Sequence, residues 1–252
     1  MTGRFAILIP ARLESVRLPD KPLADLGGKP MIQRVWERAR EAGGQPCAVA
    51  TDSERIAAAV KAFGARAILT APGHESGTSR LAEAVARLDL DADSVVVNLQ
   101  GDEPLMPPAC LRQVAGLLDS HPEAEMATLW RAFDDPAQWQ SPDAVKIVVA
   151  HAGRALYFSR APVPFSRDGQ WPAPRRHLGV YAYRVSALAA WDSLPNSPLE
   201  KTERLEQLRA LEAGWNIVAA EAVEPVPGGV DTPEDLARVQ ACFEAMDSGK
   251  PD

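Results

Sequence analysis

Phe5-Ala6-Ile7-Leu8-Ile9-Pro10-Ala11-Arg12-Leu13-Glu14-Ser15-Val16-Arg17-Leu18-Pro19-Asp20-Lys21-Pro22 joins a short apolar run to a loop carrying three cations. A continuous apolar stretch of this length, Phe5–Ile9, stopped by a proline, reads as a strand buried on both faces. Arg12, Arg17 and Lys21 follow it, among prolines that stiffen the backbone. Fixed cations and inward-turned backbone N–H groups are what a triphosphate requires. The same side chains would also suit a solvated loop, and charge alone does not separate the two. The glycine spacing of a dinucleotide fold or of a P-loop is absent, so neither is being read.

The pattern continues outward from this unit. Pro30–Ala42 predicts a helix with proline at its first turn, Cys47–Ala50 a strand, Glu54–Phe63 a helix and Ala67–Leu69 a strand. Ser79–Leu88 predicts a helix, Val95–Leu99 a strand and Pro108–Leu118 a helix. This alternation means right-handed βαβ units and a mostly parallel sheet in an α/β fold. Such sheets bind ligands outside the carboxyl ends of their strands, which makes the residues just after each strand the candidates. The middle differs. Met126–Arg131, Val145–Val149 and Val180–Tyr183 are strand-like, with connections holding Pro162, Pro164, Pro172 and Pro174. These predict added strands and a protruding subdomain near residues 126–190, inserted in a single domain spanning 1–252. Glu200–Ala213 predicts a helix, Ile217–Ala220 a last strand and Pro233–Ala245 a closing helix, before a polar, frayed tail at Ser248–Asp252.

Lys and Arg number 27 against 34 Asp and Glu, a net charge of −7, which argues against a dedicated nucleic-acid binder. Small anionic substrates stay open, because a few clustered cations dominate a local field. Cys47, Cys110 and Cys242 are widely spaced without a CxxC pair, fitting neither a disulfide framework nor a zinc site. A reducing, cytoplasmic setting is expected. No apolar run is long enough for a signal peptide or a membrane span, so no membrane association is expected.

Further groupings carry candidate chemistry. In Asn98-Leu99-Gln100-Gly101-Asp102-Glu103-Pro104, Gly101 allows a sharp turn and Asp102 projects from a strand end. Mg²⁺ takes one or two carboxylates plus phosphate oxygens and water, so Asp102 could be a ligand, or it could cap a turn. Thr232, Pro233 and Asp235 make an ordinary helix start, which leaves Asp231, behind Gly228 and Gly229, as a second carboxylate or a lone surface acid. His74-Glu75-Ser76-Gly77-Thr78-Ser79-Arg80 is a small-residue loop before a helix, suited to cradling a base or simply to an N-cap. Arg160, Arg167, Arg176 and His177 gather in the proline-rich middle, with Tyr181 after them, and arginine can hold a carboxylate bidentately. Glu206 and Gln207 lie in a charged helical stretch whose plain reading is a solvated face.

Together these segments resemble the CMP-Kdo synthetases, the 3-deoxy-manno-octulosonate cytidylyltransferases. The resemblance is carried in order by IPARLESVRLPDKPL, ATD (50–52), HESGTSRLAE, NLQGDEP, YFSRAPVPF, RHLGVYAYR, SPLEKTERLEQLR and VDTPEDL, from about Phe5 to Val239. It implies a Rossmann-like nucleotidyltransferase fold with a mostly parallel mixed sheet and an inserted sugar-binding and dimerisation part, in a homodimer. It implies a Mg²⁺-dependent transfer from CTP to an acidic eight-carbon sugar, Kdo or an analogue such as 8-amino-Kdo, serving lipopolysaccharide biosynthesis. Pro10, Ala11, Arg12, Ser15, Arg17 and Lys21 match the triphosphate loop, and Ser76, Gly77, Arg80 and Gln100 match positions around the nucleotide. Asp102 and Asp231 match the metal carboxylates, with Arg12 and Lys21 as further catalytic positions. Arg80, Gln100, Arg160, Arg167, His177, Tyr181, Glu206 and Gln207 match positions around the sugar acid. Where this chain has Val16, Glu75 and Ser79, the family commonly has Thr, Gln and Glu, and the segment between Arg167 and Arg176 is shorter. The competing readings are a nucleotidyltransferase for sialate or for sugar or polyol phosphates, and a non-catalytic nucleotide-binding protein of the same fold.

Overall fold

In a computed structural model, residues 5–13, 17–74, 76–133 and 135–247 are described. Through residue 120 the chain alternates β1 (Phe5–Ala11), α1 (Met31–Ala42), β2 (Cys47–Thr51), α2 (Glu54–Ala62), β3 (Arg66–Leu69), α3 (Gly77–Val85), β4 (Val95–Asn98) and α4 (Pro108–Ser120). Local chemistry sets these bounds. Pro30 precedes α1 and Gly43 closes it in the left-handed region, which glycine enters without steric cost. The Ser53 hydroxyl accepts from Ile56 N at the start of α2, and the Ser76 hydroxyl accepts from Ser79 N at the start of α3. That cap starts α3 at Gly77, two residues before the apolar periodicity predicts.

The second half adds β5 (Met126–Ala132), α5 (Pro136–Gln140), β6 (Lys146–Val149), β7 (Ala155–Ser159) and β8 (Arg175–Arg184). After these come α6 (Val185–Ala190), α7 (Pro198–Glu203), α8 (Gln207–Glu212), β9 (Ile217–Glu221) and α9 (Pro233–Asp247). The main path of the sheet is β3-β2-β1-β4-β8-β5-β9. Six of these strands run the same way, and β8 alone runs against its neighbours β4 and β5. The mostly parallel α/β sheet is therefore as the sequence predicts. Within residues 126–190, β5 and β8 are interior strands, while the β6–β7 hairpin attaches to the sheet through β8.

β1 is buried at every residue, and its alternation splits the core in two. Phe5, Ile7 and Ile9 join Met31, Val35, Leu111 and Val114 on one face. Ala6 and Leu8 join Leu81, Tyr183, Trp191 and Leu208 on the other. Each fully buried Ile or Leu side chain contributes about 1.5–3 kcal/mol, so β1 anchors both layers of the core.

Two expectations are corrected. The helix predicted over Glu200–Ala213 breaks into α7 and α8 at Arg204, which is left-handed with φ 52° and ψ 51°. Arg160 captures the carbonyls there: its Nε donates to Glu203 O at 2.7 Å and its Nη2 to Arg204 O at 3.4 Å. Tertiary contacts override local propensity at this point. The strand predicted as Val180–Tyr183 extends back to Arg175, because that polar half is paired with β5 on one side and with β6 on the other. The predicted tail, Ser248–Asp252, lies outside the described residues.

Candidate active site

Strand order places β2 on one side of β1 and β4 on the other, so the chain leaves the sheet in opposite directions above their carboxyl ends, the usual place for a ligand crevice. A cleft of about 1040 Å³ lies there. Pro10, Ala11 and Arg12 line it from β1, Gln100, Gly101 and Asp102 from β4, and Ser76, Gly77 and Arg80 from the start of α3. Glycine is required at 101: a Cβ would sit 2.7 Å from the Pro10 carbonyl oxygen.

The loop after β1 reaches back across this cleft. Lys21 Nζ donates to Asp102 Oδ2 at 2.7 Å, to Val230 O at 2.9 Å and to Asp231 Oδ1 at 3.1 Å. Arg17 Nη2 lies 3.2 Å from the same Asp231 oxygen. Val230 N donates to Asp102 O at 2.9 Å, stapling the two acidic loops. A Cβ on Gly229 would fall 2.9 Å from both Asp102 O and Glu103 Oε1, so only glycine permits that approach. Burial lowers the Lys21 pKa, but Asp102 and then Asp231 outweigh it and hold the ammonium above its ordinary value. Behind them Glu103 is pushed up to about 8, by burial and then by Asp102, and its Oε2 has no partner among the described residues.

Asp102 and Asp231 thus meet one cation from two distant loops. Mg²⁺ uses one or two carboxylates and completes its shell with water and phosphate oxygens. This donor set fits that requirement. Among the described residues no three or more His, Cys, Asp or Glu are grouped to hold a metal ion by themselves.

Arg80 is 3% exposed, with Nη1 donating to Thr70 Oγ1 at 2.7 Å and Nη2 to Asp52 Oδ2 at 2.8 Å. It ties the ends of β2 and β3 to α3 while keeping an edge on the cleft. Ser76 both caps α3 and faces the cleft, so the two readings of its loop are compatible. Ser15 lies outside the described residues.

A second cavity of about 320 Å³ shares Gln100, Arg204 and Glu206 with the cleft. Its floor is β8, where His177, Gly179, Tyr181 and Tyr183 alternate along the strand. Opposite β5 the register slips between Thr128 and Leu129, which pair with Tyr181 and Leu178. A bulge of this kind re-aims side chains beside a site. The Thr128 hydroxyl sits in it, 2.9 Å from Val180 O, 3.2 Å from Leu178 O and 3.0 Å from His177 Nε2. A hydroxyl has one proton to give, and a carbonyl takes it, so His177 Nε2–H donates to Thr128 and Nδ1 is left as an acceptor. Burial, then Arg176, pushes His177 down to about 3, and the ring is neutral near pH 7. Glu206 accepts from Thr78 Oγ1 at 2.7 Å, and Gln207 is buried in the same wall.

Arg160 and Arg167 line neither cavity. Arg160 spends its guanidinium on the carbonyls of Pro142, Glu203 and Arg204. Arg167 is exposed in a turn. Sequence reasoning left out Glu103, Thr78 and Arg204, and it grouped Arg176 with the candidate carboxylate-holding arginines without matching it to a family position. Glu103 and Thr78 stand inside motifs already singled out, so their neighbours were the available signal. Arg204 had none, since nothing in a helical-looking stretch announces a left-handed residue.

The family model described as cytidylyltransferase matches residues 6–219. The chain belongs to the cytidylyltransferase family. A relative from Pseudomonas syringae pv. tomato (strain ATCC BAA-871 / DC3000), named 3-deoxy-manno-octulosonate cytidylyltransferase, is 51% identical over 97% of this chain and 100% of its own length. A protein of the same name from Vibrio cholerae serotype O1 (strain M66-2) is 51% identical over 94% of this chain and 96% of its own. The solved structure of CMP:2-keto-3-deoxy-manno-octonic acid synthetase complexed with CTP superposes with a TM-score of 0.91 at 43% identity, covering 97% of this chain and 100% of that one. A cytidylyltransferase structure from Leptospira borgpetersenii, at 19% identity and a TM-score of 0.62 over 96% of this chain and 87% of that one, shares the fold. The resemblance read from the motifs therefore holds across nearly the whole cytidylyltransferase chain. Among its described residues no helix is long and apolar enough to cross a membrane.

Proposed function

We propose that this cytidylyltransferase couples CTP to 3-deoxy-manno-octulosonate, giving the CMP-sugar and pyrophosphate. The observation that carries the reading is the junction of the two cavities. A cleft holding Arg12, Arg17, Lys21 and two converging carboxylates opens, through Gln100, Arg204 and Glu206, into a smaller polar pocket. A triphosphate suits the first and a hydroxylated acid the second, and the two share a wall where their reacting atoms would meet. Relatives of half-identical sequence carrying that enzyme's name support the same substrates.

In this mechanism the anomeric hydroxyl of the sugar acid attacks the α-phosphorus of CTP. The new O–P bond forms as the bond to the leaving pyrophosphate breaks. Such transfers depend on positioning and charge neutralisation, and no Ser, Cys or His nucleophile is required. Arg12, Arg17 and Lys21 neutralise charge on the phosphates as it shifts to the leaving group. The cleft edge formed by Ser76, Gly77 and Arg80 cradles the nucleoside. Gln100, Tyr181, Glu206, Gln207 and the free Nδ1 of His177 read sugar hydroxyls. Asp102 and Asp231 would hold Mg²⁺, which, when bound, supplies charge screening and a lower pKa for the attacking hydroxyl. Phe165, 87% exposed, and Trp171, 43% exposed, leave apolar surface beyond β7 that would suit pairing with a second copy.

Pyrophosphate release tests the reading. With Mg²⁺ and the sugar acid, CTP is expected to support turnover and UTP, GTP and ATP are not, and chelation is expected to stop it. Faster release with a sialic acid or with a sugar phosphate would overturn the assignment of acceptor. Undiminished turnover under chelation would remove the metal.

A further inference from the structure

The arginines that line the smaller cavity are Arg176 and Arg204. Neither guanidinium makes a hydrogen bond or ion pair among the described residues. Arg204 also lines the cleft, so it stands where the cavities join, whereas Arg176 faces the smaller one alone. Arg204 is held there in a conformation that L-residues disfavour, φ 52°, between α7 and α8. Left-handed non-glycine residues persist only where their surroundings over-determine them, and they gather at ligand sites.

The surroundings do over-determine it. Arg160 donates to Glu203 O at 2.7 Å, to Arg204 O at 3.4 Å and to Pro142 O at 2.8 Å. The Glu203 carboxylate accepts from Ser159 Oγ at 2.7 Å and Arg160 N at 2.9 Å. The fully buried Lys146 donates from Nζ to Ser141 O and Arg160 O, both at 2.7 Å. The turn bearing Arg204 is thereby fastened to the loop that supplies Asp143 and Ala144 to the same cavity.

Resting on the proposed reaction, we infer that Arg204 is the specificity-determining cation for the acceptor's carboxylate, and that Arg160 is a positioning residue that holds it in place. In a 2-ulosonic acid the carboxylate is bonded directly to the carbon bearing the attacking hydroxyl. It must therefore lie next to the α-phosphate, at the junction and not deep in the smaller cavity. Among the described residues Arg204 is an unpaired guanidinium at that point, and a planar, bidentate donor is what a carboxylate takes.

The test is steady-state kinetics of Arg204→Asn, Arg204→Lys and the unmodified chain, with the sugar acid and with its carboxamide. Asparagine tolerates the left-handed region, so folding is retained and is checked by the melting temperature. Arg204→Asn is expected to raise KM for the sugar acid by roughly 10- to 100-fold, leave KM for CTP within about twofold, and erase the preference for acid over carboxamide. Arg204→Lys is expected to recover part of that preference. Arg160→Met is expected to raise the same KM and to weaken the acid preference while its own guanidinium touches no substrate. An unchanged acid preference in Arg204→Asn, or an equal rise in both KM values, overturns the inference while leaving the reaction intact. Absence of pyrophosphate release from the unmodified chain with CTP and the sugar acid overturns the underlying reading and this inference with it.

Discussion

The two cavities are built on opposite plans. The cleft is made of loops at the ends of parallel strands, each loop a short unbroken stretch of sequence, and its charges pair with one another across the opening. The smaller cavity is made of one face of an antiparallel strand, a bulge and a broken helix, with neutral His177, Tyr181, Tyr183 and Gln207 buried in its walls and Arg176 and Arg204 left more open. Electrostatics organises the first and packing organises the second. A charge removed from the cleft should therefore act on the chemical step, and a group removed from the smaller cavity on affinity and stability.

The largest expected effect is in the cleft. Asp102→Asn and Asp231→Asn should each lower kcat by about 10³-fold or more while far-ultraviolet circular dichroism and the melting temperature stay near the original values. Equal losses of kcat and stability would show that these acids are structural. Lys21→Met comes next, with a fall in kcat of about 10²-fold from the loss of one preorganised cation. Because Lys21 also joins the two acids, this variant should weaken Mn²⁺ binding, measured by electron paramagnetic resonance of the ion, only modestly.

His177 sharpens the other side of the comparison. Its folded pKa, about 3, lies below the ordinary 6.5, so the unfolded chain binds the extra proton first as pH falls. The stability it gives is present above about pH 6.5 and is lost on acidification toward pH 3, at up to about 1.4 kcal/mol per pH unit inside that window. Urea midpoints of His177→Asn, taken from pH 7 to pH 4, should fall less steeply than those of the original. The smallest effect belongs to Ser76→Ala, which removes the cap from α3 and should cost about 1 kcal/mol of unfolding free energy, read as a shift in urea midpoint. A loss of several kcal/mol there would mean that the cap does more than start one helix.

The parallel half of the fold was legible because strand, helix and turn signals agree from Phe5 to Ser120. The cleft was legible for the same reason: Arg12, Arg17 and Lys21 lie within ten residues of β1, and Gln100 and Asp102 just past β4. Asp231 stood out because capping explains Thr232 and Asp235 and leaves it over. The smaller cavity resisted reading. His177 and Tyr181 share a face by period two, but the bulge opposite Thr128, which places its hydroxyl against His177, carries no sign in the sequence. Arg160 has the residue type of a carboxylate binder, yet it satisfies backbone carbonyls freed by a helix break that its own contacts impose. Arg204 gained its position from that same break.

One staple joins the two acidic loops of the cleft. The hydrogen bond from Val230 to Asp102, with Lys21 reaching Asp231 across 210 residues of chain, means that the reacting centre is assembled from stretches of polypeptide far apart in sequence. Everything between them must already be in place, since closing so long a loop is unfavourable until intervening contacts shorten it. A chain interrupted before Gly228 would keep every strand of the sheet and lack Asp231, so the centre closes only after the sheet that frames it is complete.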